Sequence, residues 1–376
     1  MPSLALLTFL REWKRFAPAI CTVGFAGLLV LAQCMLMLGV FRSFAVYIDG
    51  SDADLWVGYP DAQSVEEGRN IPLKTEVFLR QHPEVTAVEP FFWSEGDVRR
   101  PDNSPAEVAL IGVETRGRPM VLQRLLTEEQ RRALEEPGTI LVDESQRENL
   151  GVDVGGALAI NGRRVRVVGF TRGLASIGEA NVVGSLLTVR ELDASLRAAE
   201  EVGYLLVRVR DPARAEIVRD ALAPSGRIRA YSVWTAREFS NRTQLYWLLE
   251  TGMGLVLSFG GIIGLGIGIV IVGQTLRGLI RASLPELATL RALGVPIRSL
   301  RMIVLEQSFW IGVVGLAITL GCAYGLERLA SSAHILVSAP FWVYAGTTVF
   351  VMSIALFSGL FAMRALRQAE PADLMR

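Results

Sequence analysis

The chain has 376 residues, 51% of them hydrophobic, with 38 basic and 38 acidic side chains and a mean hydropathy of +0.37. That apolar excess without net charge excludes a disordered chain and a nucleic-acid binder, and indicates a membrane protein with a soluble part. Its histidines are His82 and His334 and its cysteines Cys21, Cys34 and Cys322, an inventory from which no zinc site, Cys/His nucleophile pair or disulfide framework can be assembled.

Residues 1–15 place Leu4, Leu6, Leu7, Phe9, Leu10 and Trp13 at near-helical spacing, with Arg11, Glu12, Lys14 and Arg15 on the other face. Two placements fit: an amphipathic helix on the inner leaflet, or a continuation of the first span. Span one, 16–41, has no charged residue from Phe16 to Phe41 and is long enough to cross about 30 Å of hydrocarbon. Its length and the lack of a small-residue cleavage site predict an uncleaved signal anchor. Leu31-Ala32-Gln33-Cys34 departs from a lipoprotein box at Gln33, so Cys34 reads as a buried thiol.

The segment 42–250 alternates short apolar runs with helical patterns. Asp54 to Gly58, Val85 to Phe92 and Glu107 to Val113 read as strands, with a helix from Leu73 to Gln81. Downstream, Tyr204 to Val209 reads as a strand, Ala213 to Leu222 as a helix opened by Asp211-Pro212, and Ile228 to Ser232 as a strand. Two βαβ-like halves around an insertion at about 114–203 predict a split ferredoxin-like sheet. The insertion is β-rich, and Asn161-Gly162 between Ala157–Ile160 and Arg163–Phe170 is the strongest hairpin signal in the chain. Thr127 to Leu134 reads as a short helix. Val233 to Glu250 lacks glycine and proline and reads as a helix running unbroken into span two as a rod.

Two features offer chemistry on paper. Gly68 to Thr75 carries Lys74-Thr75, but Leu73 stands where a phosphate loop needs its second glycine, so no nucleotide site is read. Asp97, Arg99, Arg100, Glu114 and Arg116 read as solvated loop faces. No catalytic, cofactor-binding or metal-binding residue is assigned.

Span two is 251–276, span three is 303–326 with its apolar stretch from Gln307 to Leu326, and span four is 340–363. Each is bracketed by Arg or Glu, which would cost about 2.5 to 3.5 kcal/mol at mid-membrane. Arg11, Lys14 and Arg15, the arginines of the loop 277–302 and those of the tail 364–376 outnumber Arg328 of the loop 327–339. That asymmetry predicts cytoplasmic termini and an exported 42–250 domain. Gly260, Gly264 and Gly268 of span two, and Gly321 and Gly325 of span three, form small-residue rows read as packing faces rather than a permeation path. Glu306, near an interface, reads as a snorkelling carboxylate rather than a proton or substrate site.

In the loop 277–302, Pro285 is placed for a helix start, Gly294 for a C-cap and Pro296 for a stop, with Leu287, Leu290 and Leu293 presenting apolar side chains. Such a helix is a docking surface for a partner.

Glu286 to Gly294, reading E-L-A-T-L-R-A-L-G after Gln274-Thr275-Leu276, resembles the MacB-like and FtsX-like permeases of ATP-binding-cassette transporters. Glu370-Pro371-Ala372-Asp373-Leu374 resembles the tail that closes many of those chains, and Asp54-Leu55-Trp56-Val57 with Val85 through Pro90 resembles their DevC-type branch. The resemblance covers the whole topology of one span, a large exported domain and three further spans.

What it implies is an α-helical inner-membrane protein with a large extracytoplasmic α+β domain, not itself an enzyme. Such a permease pairs as a dimer and works with a separate ATPase subunit, which binds the ATP and Mg. The coupling helix, with Pro285, Glu286, Leu287, Leu290, Arg291, Leu293 and Gly294, would seat in that ATPase. Its motion would reshape the exported domain, a process called mechanotransmission. Efflux with a periplasmic adaptor and an outer-membrane channel is the expectation. Extraction of lipid or lipoprotein from the membrane, and non-transporting control of a cell-wall hydrolase, share the topology. A standalone membrane enzyme finds no concerted acid, base or nucleophile set.

Overall fold

A computed structural model describes residues 9, 11–100, 104–117, 119–123, 125–174, 180–193, 200–224, 230–332 and 339–368. The chain divides into a membrane unit, Met1–Gly39, Leu255–Ser332 and Val337–Arg376, and a sheet unit, Val40–Gly254 and Ala333–Leu336.

Four helices, Trp13–Phe44, Met253–Ala292, Ile297–Ser332 and Phe341–Gln368, carry the spans. The shortest apolar stretch among them, Phe341–Leu360, has 20 residues, enough for about 30 Å of hydrocarbon. The residues on which an N-terminal amphipathic helix was expected lie largely outside the described residues, as does the end of the tail. The second helix differs from expectation. It runs on without a break after Leu276, so Pro285 lies inside it instead of starting a new one. Nothing between Leu276 and Pro285 stops a helix, and a proline is tolerated there at the cost of one backbone bond. The helix closes at Gly294, whose φ of +91° suits the left-handed cap. Its N–H donates to Arg291 O at 3.0 Å, and Val295 N–H donates to Leu290 O at 3.1 Å.

Span one packs against the other three. Thr319 Oγ1 donates to Gly24 O at 3.0 Å, and a methyl group at Gly27 would fall 2.5 Å from Thr319 Oγ1 and 2.8 Å from Val351 Cγ2. Spans three and four meet where Gly312 faces Met352 and Ala355. Close approach therefore depends on Gly24, Gly27, Gly312 and Gly315. Among the predicted packing glycines only Gly268 has a neighbour within the chain, Ala26 at 3.4 Å from an added Cβ. Gly260, Gly264, Gly321 and Gly325 face open space. A four-residue glycine period marks a helix stripe but does not say which neighbour covers it.

In the sheet unit the strands are β1 (Leu55–Gly58), β2 (Ile71–Pro72), β3 (Val85–Arg99), β4 (Pro105–Val113), β5 (Thr139–Asp143), β6 (Ala157–Ile160), β7 (Arg163–Thr171), β8 (Ala180–Ser185), β9 (Glu201–Val202), β10 (Tyr204–Val209) and β11 (Ser232–Thr235). β11, β1, β10 and the first half of β3 pair antiparallel in that order. With helices Thr75–Arg80 and Ala215–Leu222 as crossovers, this is the split ferredoxin-like sheet.

β3 is longer than expected, and from Phe92 onward it leaves β10 and pairs with β4. The pairing continues through β8, β5, β7 and β6, and β6 returns to β3 at Val98 and Ile160. The insertion is thus a closed six-stranded barrel that includes β4, which the sequence reading placed before it. Val98, Leu110, Ile140, Ile160, Val167 and Val182 are buried in one core cluster. The β6–β7 hairpin turns at Asn161 and Gly162, with φ of 48° and 74°, the type I′ conformation that this pair favours.

Two expectations for the end of the sheet unit are corrected. The last strand is Ser232–Thr235 rather than Ile228–Ser232, residues 225–229 being outside those described. The helix expected over Val233–Glu250 begins only at Ala236, because the residues before it pair with β1, and it stops at Leu249. Gly252, at φ +77°, separates it from the helix that starts at Met253, so there is no continuous rod. Thr251 Oγ1 donates to Trp247 O at 2.8 Å and accepts from Met253 N–H at 3.3 Å, capping both helices at the break.

Candidate functional site

The residues singled out for docking form the last turns of helix Met253–Ala292 and its cap. Leu293 is 77% exposed. Pro285, Glu286 and Arg291 are exposed and Leu290 is half-buried. Leu287 lies on the same helix. An exposed leucine at a helix end is unremarkable alone, but here it terminates a helix whose other end is a membrane span.

Span one meets this helix through a polar cluster. Arg15 Nη1 donates to Glu286 Oε1 at 2.7 Å and to Glu12 Oε2 at 3.0 Å, while Nη2 donates to Ser283 Oγ at 3.0 Å. Further along the same two helices, Gln33 Nε2 donates to Leu257 O at 2.8 Å, and Gly261 leaves room for the Gln33 side chain. Glu306 is half-buried on the third spanning helix. Cys34, expected buried, is half-buried, and Cys21 and Cys322 are exposed on the described helices.

Within the sheet unit, Phe44 stacks on Trp247. Tyr47 Oη donates to Asn181 Oδ1 of β8 at 2.5 Å, and Asn181 Nδ2 donates to Leu174 O. Tyr47 follows span one in the chain, so the barrel is bonded directly to the segment leaving that span.

The side chains of Arg100 and Glu114 make local bonds rather than a site, and Asp97 is bonded through its backbone. Asn161 binds the Asp97 backbone, Arg100 binds Ser104, and Glu114 accepts from Thr115 and Arg116 N–H. Arg99 is exposed on β3.

Sequence reasoning missed Glu89. It lies on β3 opposite Leu206, 7% exposed, and its Oε2 accepts from Met120 N–H at 2.7 Å. Oε1 is buried without a hydrogen-bond partner among the described residues. Burial pushes this carboxyl up to about 7, against the opposing Met120 bond and the Arg208 charge. Met120 O in turn accepts from Asp52 N–H at 2.7 Å. Nothing in the pattern of Val85–Phe92 distinguishes Glu89 from an ordinary solvent-facing strand residue. Tyr246 is raised to about 12, chiefly by its hydrogen bond to Glu67.

Among the described residues no group of His, Cys, Asp and Glu is placed to hold a metal ion. A family model described as MacB-like periplasmic core domain matches residues 19–225, and one described as FtsX-like permease C-terminal matches residues 241–371. The periplasmic region of MacB from Actinobacillus actinomycetemcomitans is a similar solved structure, 16% identical, covering 52% of this chain and 94% of that one with a TM-score of 0.35. The extracellular domain of the noncanonic ABC-type transporter YknZ from Gram-positive bacteria is 11% identical and covers 49% of this chain and 100% of that one, with a TM-score of 0.34. No curated protein matches. The assignment rests on the two sequence models, which between them reach into both units. Permeases of this family work with ABC ATPase partners, are not themselves enzymes and have no cofactor of their own. The chain belongs to the MacB-like, FtsX-like family of ABC transporter permeases.

Proposed function

We propose that this permease converts motion of a separate ATPase subunit, which binds the ATP and Mg, into movement of its sheet unit, and that it serves efflux with a periplasmic adaptor and an outer-membrane channel. The observation that carries the mechanical part is the continuity of helix Met253–Ala292. Its span and the turns that lead to exposed Leu293 belong to one helix, interrupted only by the bond missing at Pro285, which supports a displacement at Leu293 reaching span two. The arginine asymmetry supports placing that docking end, and both termini, in the cytoplasm. The match to a periplasmic core domain supports placing the sheet unit outside. A second copy of the chain completes the complex, and the membrane lipid surrounds it. The efflux assignment extends the likeness to the MacB and DevC branches.

The test is purification of the full chain in mild detergent with identification of what accompanies it, repeated for Leu293→Asp. Leu293 is so exposed that this change leaves the chain's own packing intact. A carboxylate buried at the docking surface is expected to weaken ATPase binding by about tenfold or more. An ATPase retained equally by both chains would refute the docking assignment. An ATPase accompanied by a cell-wall hydrolase or lipoprotein, without an adaptor, would keep the mechanics and replace efflux.

A further inference from the structure

Pro285 is a weak point in the helix that carries the docking residues. It has no N–H to donate to Arg281 O, so the ladder lacks a bond between the span and the last two turns. A helix loaded at one end yields first where such a bond is missing. Thr289 Oγ1 donates to Pro285 O at 2.8 Å, which ties the downstream turn to the proline but does not cross it.

Arg15 does cross it. One guanidinium holds Ser283, two residues before the proline, and Glu286, the residue after it, at 3.0 and 2.7 Å. Ser283 is buried and its hydroxyl also donates to Leu279 O at 3.1 Å, so that side of the grip is anchored in the helix. Glu12, on the far side of the same guanidinium, fixes the approach of Arg15. An isolated exposed ion pair contributes little. Here one planar fork is held by two carboxylates and a hydroxyl, a geometry that only arginine supplies.

Span one is itself fastened to span two at two further places. Ala26 meets Gly268, and seven residues on in span one and seven back in span two Gln33 meets Gly261, with its amide donating to Leu257 O. We propose that Arg15 is a positioning residue that splints helix Met253–Ala292 across Pro285, so that a push on the docking turns moves spans one and two together instead of bending the helix. This rests on the docking reading given under Proposed function.

The experiment uses the full chain co-purified with its ATPase, measuring ATP turnover and the ATPase retained per permease. Arg15→Gln is expected to lower turnover about fivefold with the ATPase still bound. Glu286→Gln breaks the splint from the other side and should give the same loss, which guards against a folding defect peculiar to the arginine variant. The decisive variant is Pro285→Ala. Restoring the missing N–H should make Arg15 dispensable, so the double variant Arg15→Gln/Pro285→Ala should turn over like Pro285→Ala alone. Turnover unaffected by Arg15→Gln, or a double variant as slow as Arg15→Gln, would overturn the splint while leaving docking intact. Failure of any ATPase to accompany the unaltered chain would overturn the docking reading and the splint with it.

Discussion

Phe44 and Trp247 lie face to face, with ring centroids 3.9 Å apart and planes 4° from parallel. Phe44 is the last residue of the helix that carries span one, and Trp247 lies two residues before the end of the helix preceding span two. The stack therefore joins two segments of the sheet unit that lie far apart in the chain. A stacked aromatic pair contributes about 0.5 to 1.5 kcal/mol beyond burial of its area. Phe44→Ala and Trp247→Ala should each destabilise the chain, and the double variant should lose less than the sum by about that amount. Denaturation of the four proteins in one detergent checks this, and strict additivity would mean that the rings do not act as a pair.

Tyr47 and Asn181 form the corresponding link into the barrel. Both are buried, and Asn181 Oδ1 accepts from the tyrosine hydroxyl while Nδ2 donates to Leu174 O. Tyr47→Phe removes the donor and leaves a buried amide oxygen unsatisfied, which should cost about 1 to 3 kcal/mol. In the Asn181→Leu background the same tyrosine change should cost much less, since its acceptor is already gone. Equal losses in both backgrounds, measured by denaturant unfolding, would show that the two side chains are not energetically coupled.

Burial of Glu89 should make the stability of the sheet unit pH-dependent. Its carboxyl is raised from the ordinary 4.5 to about 7. A group with a raised folded value stabilises fully below its unfolded value and loses that contribution as pH rises through the folded one. Stability should therefore fall between about pH 4.5 and 7, by at most on the order of 3 kcal/mol from this residue. Asp54, also raised by burial, acts in the same direction. Glu89→Gln should flatten the slope, leaving the Asp54 part, and should be more stable than the unaltered chain at pH 8. Melting curves at pH 5, 6, 7 and 8 decide it, and parallel profiles would show that Glu89 does not titrate in this window.

How much of this was legible in the sequence depended on the range of the signal. Asn161-Gly162 names its turn by local conformation, and the ferredoxin-like halves follow from short runs whose order is fixed by chain connectivity. The barrel closure at Val98 and Ile160 joins residues 62 apart, and alternation shows which face is buried but not which strand is the neighbour. Four spans are visible as composition, yet Gly24, Gly27, Gly312 and Gly315, which permit close packing within the chain, form no four-residue row. Pro285 reads locally as a helix start because proline favours that position, and only tertiary context makes it a helix interior. Arg15 and Glu286 are 271 residues apart and each looks like an ordinary surface charge.

The two classes of glycine give a test of assembly. Gly27 is enclosed by Thr319 and Val351, whereas Gly264 has nothing within reach of an added Cβ in its own chain. Overpacking a filled helix contact costs about 1 to 3 kcal/mol, while an open position accepts a side chain freely. Gly27→Leu should therefore lower the melting temperature of the single chain, and Gly264→Leu should leave it unchanged. If a second copy packs on the open glycines Gly260 and Gly264, Gly264→Leu should instead shift the population from dimer toward monomer, because the small residue is what permits close helix approach. Light scattering of the detergent-solubilised chain with its bound detergent accounted for separates the two effects. A Gly264→Leu chain that remains fully dimeric would place the dimer contact elsewhere, and one that melts early as a monomer would mean that this face already has a partner within its own chain.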